Sequence, residues 1–282
     1  MSDSLRSVPD WVVRLIAEAK SADGAPPFSD QALVDYRSGA RDLVAIGEDA
    51  AGIASATEAE FVVAPDARGR GLGTGLLETL LGRGATLFWA HGDAPAARAL
   101  AASHGLTAIR QLLHLVGEVS LRTGFAGEDP SSTRDVVSAD TRVETFLLGH
   151  DEDEWVALNA KTFARHPEQG AVTKSDVEQL ETEAWFSSDN FLVLRRDGRM
   201  IGYCWLKVEG GRGEFYVVGV DPDHQGEHLG ALLFDAGLAR LAELGIHDAH
   251  LYVEADNEPA LRLYRARGFA QDSIDIQYSA HS

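Results

Sequence analysis

A short motif occurs twice in this chain, and each time it stands between the same two kinds of segment. Val63-Ala-Pro-Asp-Ala-Arg-Gly-Arg-Gly-Leu-Gly73 is echoed 157 residues later by Val220-Asp-Pro-Asp-His-Gln-Gly-Glu-His-Leu-Gly230. Val63, Pro65, Asp66, Leu72 and Gly73 match Val220, Pro222, Asp223, Leu229 and Gly230. Each copy follows a run of β-branched and aromatic residues, Phe61-Val62-Val63 or Phe215 to Val220, which reads as a buried strand. Each then opens a stretch of leucines at helical spacing, Leu72 to Leu81 or Leu229 to Leu241. A strand, a glycine-bearing loop and a helix repeated at that distance in 282 residues predict two copies of one domain.

The flanking segments repeat as well. Thr86 to Ala90 and Ala249 to Val253 read as the next strands, each followed by a short helix ending at Gly105 or Gly268. Between the copies, residues 122–134 are rich in Gly, Ser, Pro and charge and lack apolar periodicity. The expected organisation is therefore a first domain over residues 1–125, a linker over 126–138 and a second domain over 139–282. The second opens with a strand at Thr141 to Phe146 and a helix at Glu152 to Phe163.

Charge narrows the partners. Lys and Arg total 25 against 44 Asp and Glu, a formal charge of -19, which repels phosphate backbones and anionic lipid. Nucleic acid and membrane surfaces are not expected partners, and no stretch approaches the ~20 apolar residues of a membrane span. The single cysteine, Cys204, excludes an internal disulfide and suits a reducing cytoplasm; within the strand-like run Gly202 to Leu206 it reads as a buried structural thiol. His91, His166 and His250 show no metal-ligand spacing, so no metal is expected.

A tight loop feeding a helix N-terminus presents unpaired backbone N–H groups and a positive dipole end to phosphate. The spacing Arg68-Gly-Arg-Gly71-Leu-Gly73 fits Q/R-x-x-G-x-G/A and lacks the Lys-Ser/Thr end of a P-loop NTPase. The second half adds Asn257-Glu-Pro-Ala260-Leu-Arg-Leu-Tyr264-Arg-Ala-Arg-Gly268-Phe269. Together these resemble the pyrophosphate loop and the N-x-x-A-x-x-L-Y-x-x-x-G-F signature of the GNAT acyltransferase superfamily. The resemblance implies an α/β fold of the α+β type: two tandem domains, each a mixed, mostly antiparallel sheet flanked by helices and splayed to admit acetyl-CoA. Gly213 to Pro222, Phe163 to Gly170 and Phe88 to Gly92 narrow it to a tandem branch that acetylates the cysteinyl amine of cysteinyl-glucosaminyl-inositol. A small-molecule thiol precursor is then the acceptor, and a monomer is expected.

Direct acyl transfer needs a base for the amine, whose ordinary pKa is about 8, and an acid for the departing thiolate. Glu214 starts the strand that leads into the second loop, and Tyr264 lies on the helix after the next strand. The superfamily resemblance assigns them the same roles, base and acid, with the oxyanion held by strand N–H groups near Val218. The first half is an internal control. The repeat offset carries Glu214 back to Thr57, with Glu58 and Glu60 out of register, and it carries Tyr264 back to Ala101; no tyrosine occurs in residues 88–113. The first half is expected to bind coenzyme or act as scaffold without turnover.

The resemblance implies coenzyme contacts at Val218, Gly219 and Val220, then Gln225, Gly226, Glu227, His228, Leu229, Gly230 and Ala231, and at Asn257, Glu258, Pro259, Ala260, Leu261 and Arg262. The first-half equivalents are Phe61, Val62 and Val63 with Gly69, Arg70, Gly71, Leu72, Gly73 and Thr74. For the acceptor it implies Asp30, Glu168, Lys207, Glu214 and Tyr252, although glutamate is usual where this chain has Asp30. One departure stands out: His228 replaces the glycine equivalent to Gly71. A positive φ there costs a non-glycine residue about 1–2 kcal/mol, whereas a negative φ would turn the imidazole outward or onto a phosphate. Two rival readings stay open at this stage: a tandem acetyltransferase for another amine, such as an aminoglycoside or a protein N-terminus, and a non-catalytic coenzyme-binding regulator.

Overall fold

In the computed structural model the described residues are 6–119, 141–164, 166 and 169–280. The linker expected at 126–138 lies outside them, as does Glu168. The chain divides into two compact units: Met1–His114 with Val253–Asn257 and Gln271–Ser282, and Leu115–Tyr252 with Glu258–Ala270.

The first unit opens with two helices, α1 (Asp10–Asp23) and α2 (Asp30–Ser38). Both end on glycines in the left-handed region, Gly24 and Gly39, where a side chain would be strained. Strands β1 (Asp42–Ile46), β2 (Ala50–Ala54) and β3 (Glu58–Val63) form an antiparallel meander. Helix α3 (Leu72–Gly82) then returns the chain to β4 (Leu87–His91), parallel to β3, and α4 (Pro95–Ser103) leads to β5 (Thr107–Glu118). The sheet's next strand comes from the end of the chain. β11 (Ala270–Ser279) pairs antiparallel with β4, from Asp275 opposite His91 to Ser279 opposite Leu87. Its core sits on both faces, with Leu76, Leu77, Leu80, Phe88, Ile276 and Tyr278 on one and Val12, Leu15, Phe28, Ile53 and Val62 on the other.

The second unit repeats the plan. β6 (Thr141–Thr145), α5 (Glu152–Thr162) and α6 (Lys174–Leu180) precede an antiparallel run of β7 (Phe191–Arg196), β8 (Arg199–Glu209) and β9 (Arg212–Val220), with β6 against β7. Helix α7 (Leu229–Glu243), the parallel strand β10 (Asp248–Glu254) and α8 (Glu258–Ala266) follow. Antiparallel pairs thus outnumber parallel ones, as the resemblance implied. α5 lays Trp155 and Leu158 against Phe191, Tyr203 and Trp205, while Phe215 stacks on Phe234 of α7 on the other face, ring centroids 4.0 Å apart. Gly237 of α7 has no alternative here: a Cβ would meet the Phe215 ring at 2.6 Å and Cys204 Sγ at 2.9 Å. Cys204 is fully buried, and burial pushes its thiol pKa up, so it stays protonated and inert.

Candidate active site

Both loops adopt the same conformation. Gly69 and Gly226 have φ of 73° and 85°, Gly71 and His228 have φ of 83° and 57°, and the helix begins at the next residue, Leu72 or Leu229. His228 therefore takes the strained alternative, with its side chain exposed. A Cβ added to Gly69, Gly71 or Gly226 would meet nothing within 4 Å, so the backbone there is open to close approach by a ligand. The third glycine of each loop joins the parts. Built Cβ atoms at Gly73 lie 3.7 Å from Val63 and 3.6 Å from Leu100, and at Gly230 3.9 Å from Val220 and 3.8 Å from Leu263. Strand end, loop and following helix thus converge in each unit, bringing Val220, Gly230 and Leu263 of α8 together in the second.

In the first unit this convergence encloses a cavity of about 380 Å³. Phe61, Val62 and Val63 line it on one side and Gly69, Gly71 and Thr74 on another, so these predicted coenzyme residues do share one space. Arg68 lines it too, held bidentate by Asp23 at 2.7 Å for both bonds, with Nε donating to the Val63 carbonyl. Arg70 instead donates to the Asp66 carbonyl at 2.7 Å. Open N–H groups at a helix start, a cationic rim and apolar walls fit a nucleotide with a long pantetheine arm. The second loop is less cationic, carrying Gln225 and Glu227, with Glu227 bound by Arg196 at 2.7 Å and His224 at 3.0 Å.

The strand before each loop differs more. In the second unit the β8–β9 register slips, because Trp205 faces Val217 while Leu206 faces Phe215. Tyr216 is the extra residue of a β-bulge. The first unit has no slip between β2 and β3, where Ala54 to Ala50 face Ala59 to Val63 one for one. That one residue corrects the sequence offset. Glu58 faces Leu87 in β4 as Glu214 faces His250 in β10, so Glu58 and not Thr57 is the structural counterpart of Glu214. Glu58 is committed elsewhere, accepting from Arg41 at 2.6 Å and Gln277 at 3.3 Å.

Glu214 is half-buried, opposite Lys207 in β8 and His250 in β10, so the three share one sheet face. Tyr216 stands close enough for the Glu214 charge to help raise its pKa, after burial as the main cause and ahead of Glu183. Trp185 and Tyr216, neither singled out from the sequence, pack beside this face. Trp185 packs on Tyr216 at 5.4 Å and on Trp205 at 5.9 Å, and Lys207 Nζ lies 5.4 Å from the Trp185 ring centroid. Tyr252 is exposed, with its ring 6.3 Å from His250. Tyr264 sits on α8, buried beside Phe234 at 4.9 Å; burial is the main cause that raises its pKa and keeps the phenol protonated. Asp30 belongs to the first unit, exposed in the first turn of α2.

Sequence reasoning also missed the first unit's buried ionic cluster. Glu60, only 1% exposed, accepts from Ser29 N at 2.6 Å and Ser29 Oγ at 2.7 Å, and meets His91 Nε2 at 3.2 Å. Asp275 of β11 meets His91 Nδ1 at 3.1 Å. Burial disfavours a charged His91, but hydrogen bonds and charges from Asp275 and Glu60 outweigh it and raise its pKa to about 9. Burial likewise works against the Glu60 carboxylate, yet His91 and Ser29 hold its pKa below the usual range. The faint signal was Glu60 itself, a charge set between Ala59 and Phe61 of β3.

The comparisons agree with this geometry. The Acetyltransferase (GNAT) family model matches residues 155–269. A mycothiol acetyltransferase of Clavibacter michiganensis subsp. michiganensis is 45% identical over 286 residues, covering 95% of this chain and 91% of the relative. One from Thermobispora bispora is 40% identical, covering 95% and 94%. Among solved structures, a GCN5-related N-acetyltransferase from Sphaerobacter thermophilus superposes with a TM-score of 0.71 at 19% identity, covering 96% of each chain. A tandem GNAT protein from the clavulanic acid biosynthesis pathway gives 0.66 at 18% identity, covering 96% of this chain and 94% of that one. At those identities the two structures speak for the fold alone.

Proposed function

The chain belongs to the mycothiol acetyltransferase family of GNAT proteins, and we propose that residues 139–282 form its catalytic half and residues 1–125 a coenzyme-binding or scaffolding half. The reaction is that of mycothiol synthase: the acetyl group of acetyl-CoA passes to the cysteinyl amine of cysteinyl-glucosaminyl-inositol, giving mycothiol and CoA. One observation carries the assignment of the active half. Among the described residues, β9 alone holds a glutamate beside a bulge and in register with a lysine and a histidine, whereas its counterpart Glu58 is tied up by Arg41.

Acetyl-CoA supplies an activated thioester, and the chain supplies the rest. The loop N–H groups of residues 225–231 and the start of α7 would receive the pyrophosphate, and the backbone of Val218 to Val220 the pantetheine amides. Glu214 accepts the proton that the amine gives up as the new C–N bond forms. Tyr264, kept neutral by burial, donates a proton to the sulfur as the C–S bond breaks. N–H groups released by the bulge near Val218 stabilise charge on the carbonyl oxygen. Lys207, Tyr252 and Glu168, with Asp30, are the acceptor residues on this reading, and the reaction belongs in the cytoplasm.

Incubating the protein with acetyl-CoA and cysteinyl-glucosaminyl-inositol and following CoA release tests the reading. CoA released at an enzymatic rate, with acetylation on the cysteinyl nitrogen, is the expected result. Release with aminoglycosides or peptides alone would overturn it.

A further inference from the structure

Lys207 lies near the end of β8, opposite the proposed base, and a lysine in that place presents a problem. Its four-carbon stem carries about 2 kcal/mol of rotamer entropy, and an unrestrained ammonium would swing between solvent, Glu214 and the acceptor. The structure restrains it from two sides. Glu209 Oε2 lies 3.4 Å from Nζ, and the Trp185 face lies 5.4 Å from it. Trp185 is itself fixed, tilted against Tyr216 and against the fully buried Trp205, which stacks on Phe191 at 4.4 Å. The aromatic ladder therefore runs from the core of the unit to the ammonium.

We propose that Trp185 is a specificity-determining positioning residue, which holds the Lys207 ammonium as a fixed donor for the hydroxyl oxygens of a sugar or cyclitol. The chemistry discriminates the two ends of such an acceptor. An ammonium offers three N–H donors and no acceptor, so it suits hydroxyl oxygens and repels a protonated amine. The carboxylate of Glu214, opposite Lys207 in the ladder, attracts the amine. A polyol amine is thereby oriented with its nitrogen at Glu214 and its ring at Lys207, and pre-fixing the lysine lowers the ordering cost of binding. This inference rests on the proposed acetyltransferase reaction and adds a residue and a selection rule to it.

The test compares two acceptors, cysteinyl-glucosaminyl-inositol and L-cysteinamide, which has the same amine and no polyol. Trp185→Leu should raise KM for the glycosylated acceptor by about tenfold, the scale of one hydrogen bond to a charged group, with KM for acetyl-CoA and kcat/KM for L-cysteinamide nearly unchanged. Lys207→Met should raise KM for the glycosylated acceptor at least as much, and the double variant should be no worse than Lys207→Met alone, because both remove one interaction. Trp185→Phe, a smaller face, should lose about threefold, and it carries the comparison if the leucine variant does not fold. Equal losses on both acceptors, additive losses in the double variant, or no loss in Trp185→Phe where Trp185→Leu is unfolded would overturn the inference while the reaction stands. Absence of CoA release by the wild type would overturn the reaction and the inference together.

Discussion

Gly71 and His228 hold the same position in their two loops, each immediately before a helix and each in the left-handed region, with φ of 83° and 57°. Only the second involves a Cβ, so the second loop stores strain that the first does not. Replacing His228 with glycine should stabilise the second unit by about 1 kcal/mol, read as a higher midpoint in urea unfolding. A midpoint that stays put or falls would show that the imidazole makes a compensating contact.

Glu214→Gln should lower kcat by about a hundredfold or more while KM for acetyl-CoA holds, since the amide keeps the shape and loses the base. The deficit should shrink above about pH 8, where the acceptor amine deprotonates without help. A variant with normal kcat at neutral pH would remove Glu214 from the mechanism.

Tyr264→Phe tests the acid separately. It removes only a hydroxyl from a residue packed against Phe234, so folding should survive and kcat should fall about tenfold or more. The fall should be smaller for a thioester whose leaving thiol is more acidic, because that thiolate needs less protonation. An equal fall for both thioesters would mean that the hydroxyl serves structure.

The Glu60, His91 and Asp275 cluster gives the first unit a pH signature. His91 has a folded pKa of about 9, raised above its ordinary 6.5, so its contribution is complete below about pH 6.5 and is lost as pH rises through 9. Glu60 has its pKa lowered, so its contribution is complete above its ordinary value near 4.5 and is lost as pH falls further. Thermal unfolding from pH 6 to 10 should therefore show declining stability that flattens in His91→Asn. An unchanged slope in that variant would sink the assignment.

Cys204 should not react with a thiol-directed disulfide reagent in the native protein and should react fully once the protein is unfolded. Prompt labelling of the folded chain would contradict the burial of this thiol.

How far the residues announce this arrangement differs from feature to feature. The two loops were legible because glycine at a forced conformation and proline before a helix are local requirements, satisfied wherever the segment lies. The strands before the loops were legible from their runs of β-branched and aromatic residues. The β9 bulge was not, since one extra residue in a strand leaves no compositional mark, and it shifted the counterpart of Glu214 from Thr57 to Glu58. Trp185 was missed for a related reason: an aromatic in a loop becomes meaningful only when the lysine and tyrosine it touches are brought to it from two strands. The pairing of β11 with β4 was also invisible, because alternation specifies which face of a strand is buried and says nothing of its neighbour.

That last pairing bears on how the protein is made. During synthesis β4 leaves the ribosome well before its partner β11, which brings Tyr278 for the cavity and Asp275 for His91 and follows only after the second unit's strands and helices. The first unit is begun before the second and completed only after it, and until then β4 presents an open edge on which another nascent chain can template. A frameshift or nonsense codon just ahead of β11 would thus do its damage in the first unit, leaving that unit without a strand and its histidine without one of its two carboxylates.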